Sequence, residues 1–401
     1  MFTDSALSQH LFEGFQADTH KIEGGWLHLH LSRDRGVHPR CSNCGRACRQ
    51  VHDHRHRRVR DRDFFGYQVM LHIEIGRVRC DTCGVRVQRI AWLSPCKRLT
   101  RRLQSHVEGL CRLLPIKHVA SLLALNWHTV KAIDKQRLER ELGDPDWSSV
   151  TRLMMDEFAL FKGHRYATVV ADADTQEVLW VGEGRSRESI RPFFKQMGRH
   201  CQHIQAVAMD MNTAFDLEVQ QHCPQARVVY DLFHVIAKYG REVIDRVRVD
   251  QANQLKGNMT ARKWIKRSRW VLLKNRENMT GDQQSYLEEL LAANQSLMTV
   301  YLLKEQLKEV WYCRSQLVAL RQWKLWWKQV QDSAIKPLQD FARKLKPYLP
   351  GILASAIHPL STSKLEGMNN KIKVIKRMAY GYRDNDYFFM KIRAAFHPDL
   401  R

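Results

Sequence analysis

Two short cysteine turns, Cys41-Ser-Asn-Cys44-Gly and Cys80-Asp-Thr-Cys83-Gly, constrain this sequence more than any other feature. Each turn offers two thiolates, and the pair supplies the four soft ligands of a tetrahedral structural zinc site. Tyr67–Ile75, lying between them, alternates polar and apolar residues as a half-buried strand does, so the region reads as a zinc ribbon. Four thiolates leave no open coordination position, which makes this zinc structural and not catalytic. Cys48, His52, His54 and His56 are nearby spares that the ligand set does not need. Zinc, and not disulfide, is the expected use of cysteine, because the opening Met-Phe-Thr-Asp-Ser-Ala-Leu lacks the basic and apolar parts of a signal peptide. That predicts a cytoplasmic protein with reduced thiols. No run approaches the roughly 18 apolar residues of a membrane-spanning helix, so a membrane is not expected as a partner.

Charge narrows the partner. Sixty-five Lys+Arg against 42 Asp+Glu give a net charge of +23, which favours a polyanion, most simply nucleic acid. Arg49–Arg62 is dense in arginine and histidine, equally suited to a phosphate-contacting strand and to a solvated charged face. From Leu99 to Leu114 the pattern is helical, and Pro115 breaks it. Ile116–Ile133 then reads as a helix-turn-helix: Val119, Ala120 and Leu123 pack the first helix, Val130 and Ile133 anchor the second, and Asn126 caps it. Trp127, His128 and Lys131 would face a DNA groove. A linker follows at Gly143–Ser149.

Beyond it, strands are predicted at residues 152–160, 166–172 and 177–182, with a turn at Lys162-Gly-His. A helix capped by Ser186, a strand at 204–210, a helix from Thr213 and a strand at 226–230 come next, and Asp231 opens a long helix. Three antiparallel strands, then helix, strand, helix, strand is the order of a ribonuclease H-like, retroviral integrase-like domain. There the first and fourth strands are neighbours, which would bring Asp156 and Asp210 together and call for a neutralising cation. Residues 250–348 are helical in pattern and rich in lysine, arginine and tryptophan. Trp264, Trp270, Trp311, Trp323, Trp326 and Trp327, interleaved with basic residues, could grip DNA or stack on a displaced base, and the default reading for most of them is bundle core.

The last informative stretch runs from Ser361 to Arg377. Wound as a helix, it puts Met368, Ile372, Ile375 and Ala379 on one side and Glu366, Asn370, Lys373 and Arg377 on the other. Ser363 with Glu366 three residues on would make a capping box, which alone could account for the acid. A carboxylate holding a metal beside a DNA backbone accounts for it equally.

Met155-Asp156-Glu157-Phe158, Met209-Asp210-Met-Asn, Asp231-Leu-Phe-His234, Ser363-Lys-Leu-Glu366-Gly-Met-Asn-Asn-Lys-Ile-Lys373 and Ala379-Tyr-Gly-Tyr-Arg383 together resemble the ISL-three family of bacterial insertion-sequence transposases. The resemblance covers nearly the whole chain. It implies a multi-domain α+β and α/β protein: a zinc ribbon (1–97), a helix-turn-helix (98–147), a ribonuclease H-like catalytic domain (148–250 and 356–401) and an all-helical insertion (251–355). By position Asp156, Asp210 and Glu366 match the family's catalytic triad, which would hold two Mg²⁺ ions, with Mn²⁺ as an alternative. Lys373 matches a phosphate-orienting residue, with Arg377 second, and Asp231 and His234 match an accessory motif, although Asp231 also suits a helix cap. The implied partners are inverted-repeat ends and target DNA, gripped by a homodimer or higher synaptic assembly on the nucleoid. Two other classes fit the same residues: a zinc-ribbon and helix-turn-helix regulator, and a ribonuclease H-like host nuclease that cuts without joining.

Overall fold

In the computed structural model, the structure describes residues 10–94, 98–161, 163, 165–360 and 363–400, the side chain of Ser363 apart. The turn expected at Lys162-Gly-His and the side-chain half of the Ser363 capping box therefore lie outside the described residues. The chain divides into two compact units, one running to Glu141 with Met378–Gly381 added, the other comprising Leu142–Arg377 and Tyr382–Arg401.

The first unit is built on a six-stranded sheet. Strands β1 (Phe15–Glu23), β2 (Trp26–Arg33), β3 (Arg40–Cys41), β4 (Gln50–Phe64), β5 (Tyr67–Cys80) and β6 (Gly84–Arg89) pair in the order β1-β2-β5-β6-β3, with β4 alongside β5. Alternation sets the buried face: Leu27, Leu29 and Leu31 of β2 meet Leu71 and Ile73 of β5, and Val59 of β4 joins them. Three helices follow, α1 (Arg101–Leu113), α2 (Ile116–Leu122) and α3 (Trp127–Leu142). Thr100 caps α1 by accepting the N–H of Leu103 at 3.2 Å. Leu103, Val107, Val119, Ala120, Leu123, Val130 and Ile133 form one core that fixes the three helices together.

The second unit contains a five-stranded sheet. β7 (Arg152–Phe161), β8 (Arg165–Asp172) and β9 (Val178–Glu183) are antiparallel, whereas β10 (Ala206–Met209) and β11 (Arg227–Tyr230) run parallel to β7, giving the order β11-β10-β7-β8-β9. Helices α4 (Arg187–Met197) and α5 (Thr213–His222) cross between strands. Ser186 caps α4 and Asn212 caps α5 through their side-chain oxygens. Phe193, Phe194, Phe215 and Val219 from these helices pack with Leu153, Met155 and Met209 of the sheet.

After β11 the chain is helical to residue 354: α6 (Leu232–Tyr239), a π-turn at Gly240–Ile244, α7 (Asp245–Gln254), α8 (Met259–Arg267), α9 (Arg269–Leu273), α10 (Gly281–Ala293), α11 (Gln295–Tyr312), α12 (Gln316–Asp332), α13 (Lys336–Leu345) and α14 (Leu349–Ala354). Trp323 and Trp326 are buried in their shared core, and Trp264, Trp311 and Trp327 pack partly buried against it. Trp270 is not part of that core: it is 72% exposed, with the Arg269 guanidinium over its ring. The chain then returns to the sheet as α15 (Ser363–Met378) and α16 (Asn385–Phe396). Leu365, Met368 and Ile372 of α15 pack with Phe388 and Ile392 of α16 and with Met154, Phe158 and Val169 of the sheet. The apolar face of α15 is shorter than expected, since the helix ends at Met378 and Ala379 lies beyond it.

Candidate active site and DNA-binding elements

In the first unit the Sγ atoms of Cys41, Cys44, Cys80 and Cys83 lie within 4.8 Å of one another. Gly45 and Gly84, which close the two turns, have φ of 73° and 68°, a left-handed conformation that favours glycine. The Asn43 N–H reaches the Cys41 sulfur and its amide reaches that of Cys83, both at 3.4 Å. The Thr82 hydroxyl, 3.3 Å from Cys80, lowers that thiol to about 6, and the Asn43 amide lowers Cys83. A thiol that ionises near neutral pH is ready for a soft cation, so the set fits zinc. Cys48 packs among Cys41, Val78 and Cys80 in a small core and belongs to no ligand group among the described residues. Arg55, His56, Arg57 and Arg58 stand exposed on β4.

Asn126 Oδ1 accepts the N–H of His128 at 2.8 Å and so caps α3. This start presents Trp127, 43% exposed, and His128 to solvent, and the Lys131 ammonium lies 5.6 Å from the Trp127 ring.

The acidic residues occupy the middle of the five-stranded sheet. β10 pairs with β7 through Ala206–Arg152, Val207–Leu153 and Ala208–Met154. Two residues further along each strand come Asp210 and Asp156. Asp210 falls just past the strand end, not on it, because the pairing of β10 with its neighbours stops by Met209. Asp156 is half-buried with each oxygen held: Oδ1 accepts the Glu157 N–H at 2.7 Å and Oδ2 accepts the Asn369 amide at 2.6 Å. Burial pushes its pKa up to about 6, and the negative charges of Asp210 and Asp231 push the same way. Asp231 caps α6, accepting the Phe233 N–H at 2.8 Å, while its second oxygen meets His234 Nδ1 at 3.1 Å. His234 also forms an ion pair with Asp210. Burial opposes its charge, yet the two carboxylates win and lift it to about 10, so it is an imidazolium at neutral pH.

Asp210, Asp231 and His234 form the second group of ligand-type atoms within 4.8 Å of one another among the described residues. Glu366 is not in it. It stands exposed in the first turn of α15, one turn before Asn369. Asn370, Lys373 and Arg377 are exposed on the same helix, and among the described residues the Lys373 ammonium bonds only Asn370 Oδ1, at 3.4 Å. Asn369 is the site residue that the helical pattern missed. It falls between the apolar and polar faces, and its neighbour Asn370 took the place on the polar stripe. Carboxylate oxygens fit a hard divalent cation. The pairing of β7 with β10 puts Asp156 on one strand and Asp210 just past the end of its neighbour, while Asp156, like Glu366, stands outside the close group of Asp210, Asp231 and His234.

A sheet whose paired central strands carry one aspartate in mid-strand and another just past a strand end, in one chain with a four-cysteine turn pair and a helix-turn-helix, defines a DDE-type transposase. The chain belongs to the ISL3 family of insertion-sequence transposases. The family described as transposase matches residues 153–392, the zinc finger of transposase IS204/IS1001/IS1096/IS1165 matches 38–83, and the helix-turn-helix domain of transposase family ISL3 matches 88–138. A transposase for insertion sequence element IS1001 from Bordetella parapertussis is 54% identical over 363 residues, covering 90% of this chain and 89% of that protein. A transposase for insertion sequence element IS1557 from Mycobacterium tuberculosis is 28% identical over 377 residues, covering 86% and 82%. No helix among the described residues is long and apolar enough to cross a membrane.

Proposed function

We propose that this transposase cleaves DNA at the ends of its insertion sequence and joins the freed 3′ hydroxyls to target DNA, using Asp156, Asp210 and Glu366. In this reading residues 148–250 and 356–401 form a ribonuclease H-like domain and the helices of 251–355 are an insertion into it. The observation that carries the proposal is the bond from Asn369 to Asp156, which docks the glutamate helix onto the strand bearing the first aspartate. The chemistry needs two in-line displacements at phosphorus. In the first, water adds, the bond to the 3′ oxygen breaks, and that oxygen leaves as a hydroxyl. In the second, the hydroxyl attacks a target phosphodiester, so one P–O bond forms as one breaks and no external energy source is needed.

Divalent ions, Mg²⁺ or Mn²⁺, would supply Lewis acidity and a nucleophile at neutral pH when held by the three carboxylates. The protein's own part is to hold Asp156 by both oxygens, to keep Asp210 oriented through His234, and to bring Glu366 near on α15. Lys373 would orient phosphate and offset charge developing on it. The ribbon, holding its structural zinc, and Trp127, His128 and Lys131 of α3 would read the inverted repeats. Pairing two ends requires at least a dimer. The deciding experiment is Glu366→Gln. It should abolish metal-dependent strand cleavage while end binding stays nearly intact, and unchanged cleavage would overturn the assignment.

A further inference from the structure

Helices α8 and α10 border a groove of about 1080 Å³ whose chemistry the reaction at Asp156 does not use. Four cations line it, Arg262, Lys263, Lys266 and Arg267, against one carboxylate, Asp282. They are spaced i, i+1, i+4 and i+5 on α8, so they form two pairs one helical turn, about 6 Å, apart on one side. Several other cations of this helical segment find acids: Arg248 and Arg269 share Asp245, Arg276 meets Glu288 and Lys308 meets Glu305. Among the described residues, none of the four groove side chains has an ion-pair or hydrogen-bond partner. Arg262 Nε is moreover buried and unbonded, an orphaned donor of the kind folded proteins seldom leave. Two rings complete the wall. Trp264 and Tyr286 meet edge to face at 5.7 Å, fixed by the Tyr286 hydroxyl donating to the Trp264 carbonyl at 2.9 Å.

We infer that this groove is a second DNA-binding surface, in which the four cations meet successive phosphates of one strand and the Trp264–Tyr286 wall packs against its sugars or bases. Unpaired cations in two turns of one helix suit a linear polyanion better than a single phosphate, and rings interleaved with them are the recurring means of holding a strand without sequence preference. The helical segment thereby acts as a clamp on DNA that the ribbon and helix-turn-helix do not hold. The inference rests on the reading that this chain handles DNA ends, but its test uses no divalent cation, so a failure of the catalytic assignment leaves its outcome unaffected.

The test compares the zinc-loaded full chain with the variant Arg262→Gln/Lys263→Gln/Lys266→Gln/Arg267→Gln, measuring affinity for a single strand and for a duplex across a salt series. Loss of four phosphate contacts should make the slope of log K against log salt shallower by about 3 for a single strand or about 4 for a duplex, and the arm that changes identifies the form held. Iodouracil-substituted DNA should photo-crosslink to the peptide carrying Trp264 or Tyr286 in the parent and not in the variant. Because Arg262 is half-buried, the exposed triple variant Lys263→Gln/Lys266→Gln/Arg267→Gln serves if the first does not fold, with a slope change of about 2 expected for a single strand. Unchanged slopes in both arms, or crosslinks confined to residues outside 259–286, would overturn the inference.

Discussion

The amide of Asn369 donates to Asp156 Oδ2 at 2.6 Å across 213 residues of sequence, tying the helix that carries Glu366 to the strand that carries Asp156. A hydrogen bond to a carboxylate contributes about 1.5–3 kcal/mol. Asn369→Ala should therefore slow strand cleavage by about 10- to 100-fold and raise the divalent-ion concentration needed for half-maximal rate. DNA binding should change little. Asn369→Asp should do worse, since it sets a like charge against Asp156. Single-turnover cleavage across a metal titration, with binding measured in parallel, separates this from a general loss of fold, which would lower both together.

The raised pKa of Asp156 makes a claim about stability. Its ordinary value is 3.8 and its folded value about 6, so the fold prefers the protonated acid. Below pH 3.8 both states are protonated and nothing is lost. As pH rises through about 6 that preference disappears, destabilising the metal-free protein by about 3 kcal/mol at 1.36 kcal/mol per pH unit. Asp156→Asn should thus be more stable than the parent at pH 8 without divalent ions, and the gap should close towards pH 4. Urea denaturation at several pH values checks this, and a gap that does not vary with pH would refute it.

Much of this was legible in the sequence because periodicity and spacing are local. Alternation located β5, and CxxCG spacing identified four cysteines that the fold gathers. The side chains of Asn126, Ser186 and Asp231 bond the first turns of their helices as cap residues should. What stayed hidden depends on contacts between distant segments. Asn369 carries no mark that separates it from Asn370, and only the docking of α15 on β7 decides which amide reaches Asp156. His234 likewise reads as one more helix residue until β10 and α6 bring Asp210 to it. Trp270 stayed open too: interleaved with basic residues it suited a bundle core or a DNA contact, and its short helix turns the ring outward.

Removing zinc should act on the first unit. Cys80 ends β5 and Cys41 ends β3, so the metal would join strands whose own pairing is short, β3 meeting β6 through only Arg40–Arg89 and Cys41–Gln88. A strong chelator, or Cys80→Ser, should lower the melting temperature of this unit and abolish end binding, because metal-binding free energy in such modules is folding free energy. Residual cleavage of non-specific DNA by the second unit should survive. Equal loss of both activities would show that zinc supports more than the ribbon.

The basic residues of α15 differ in what they already hold, and this separates the last expectation from a simple charge effect. The Lys371 ammonium donates to the Ala395 carbonyl at 2.5 Å. Lys376 donates to the Ala159 carbonyl at 3.3 Å and also to that of Leu160, and burial lowers its pKa. Both are therefore engaged in fastening the helix. Lys373 stands exposed two turns beyond Glu366, bonded among the described residues only to Asn370, and so placed to meet a phosphate. Lys373→Ala should cut the cleavage rate by about 100-fold, in the range found when one charge-stabilising donor is removed from an active site, with the melting temperature unchanged. Lys376→Ala should do the reverse, lowering the melting temperature and affecting the rate mainly through the loss of folded protein. Thermal melts and single-turnover rates on the two variants decide the matter. If both lose rate and stability in the same proportion, Lys373 has no private role at the reacting phosphate.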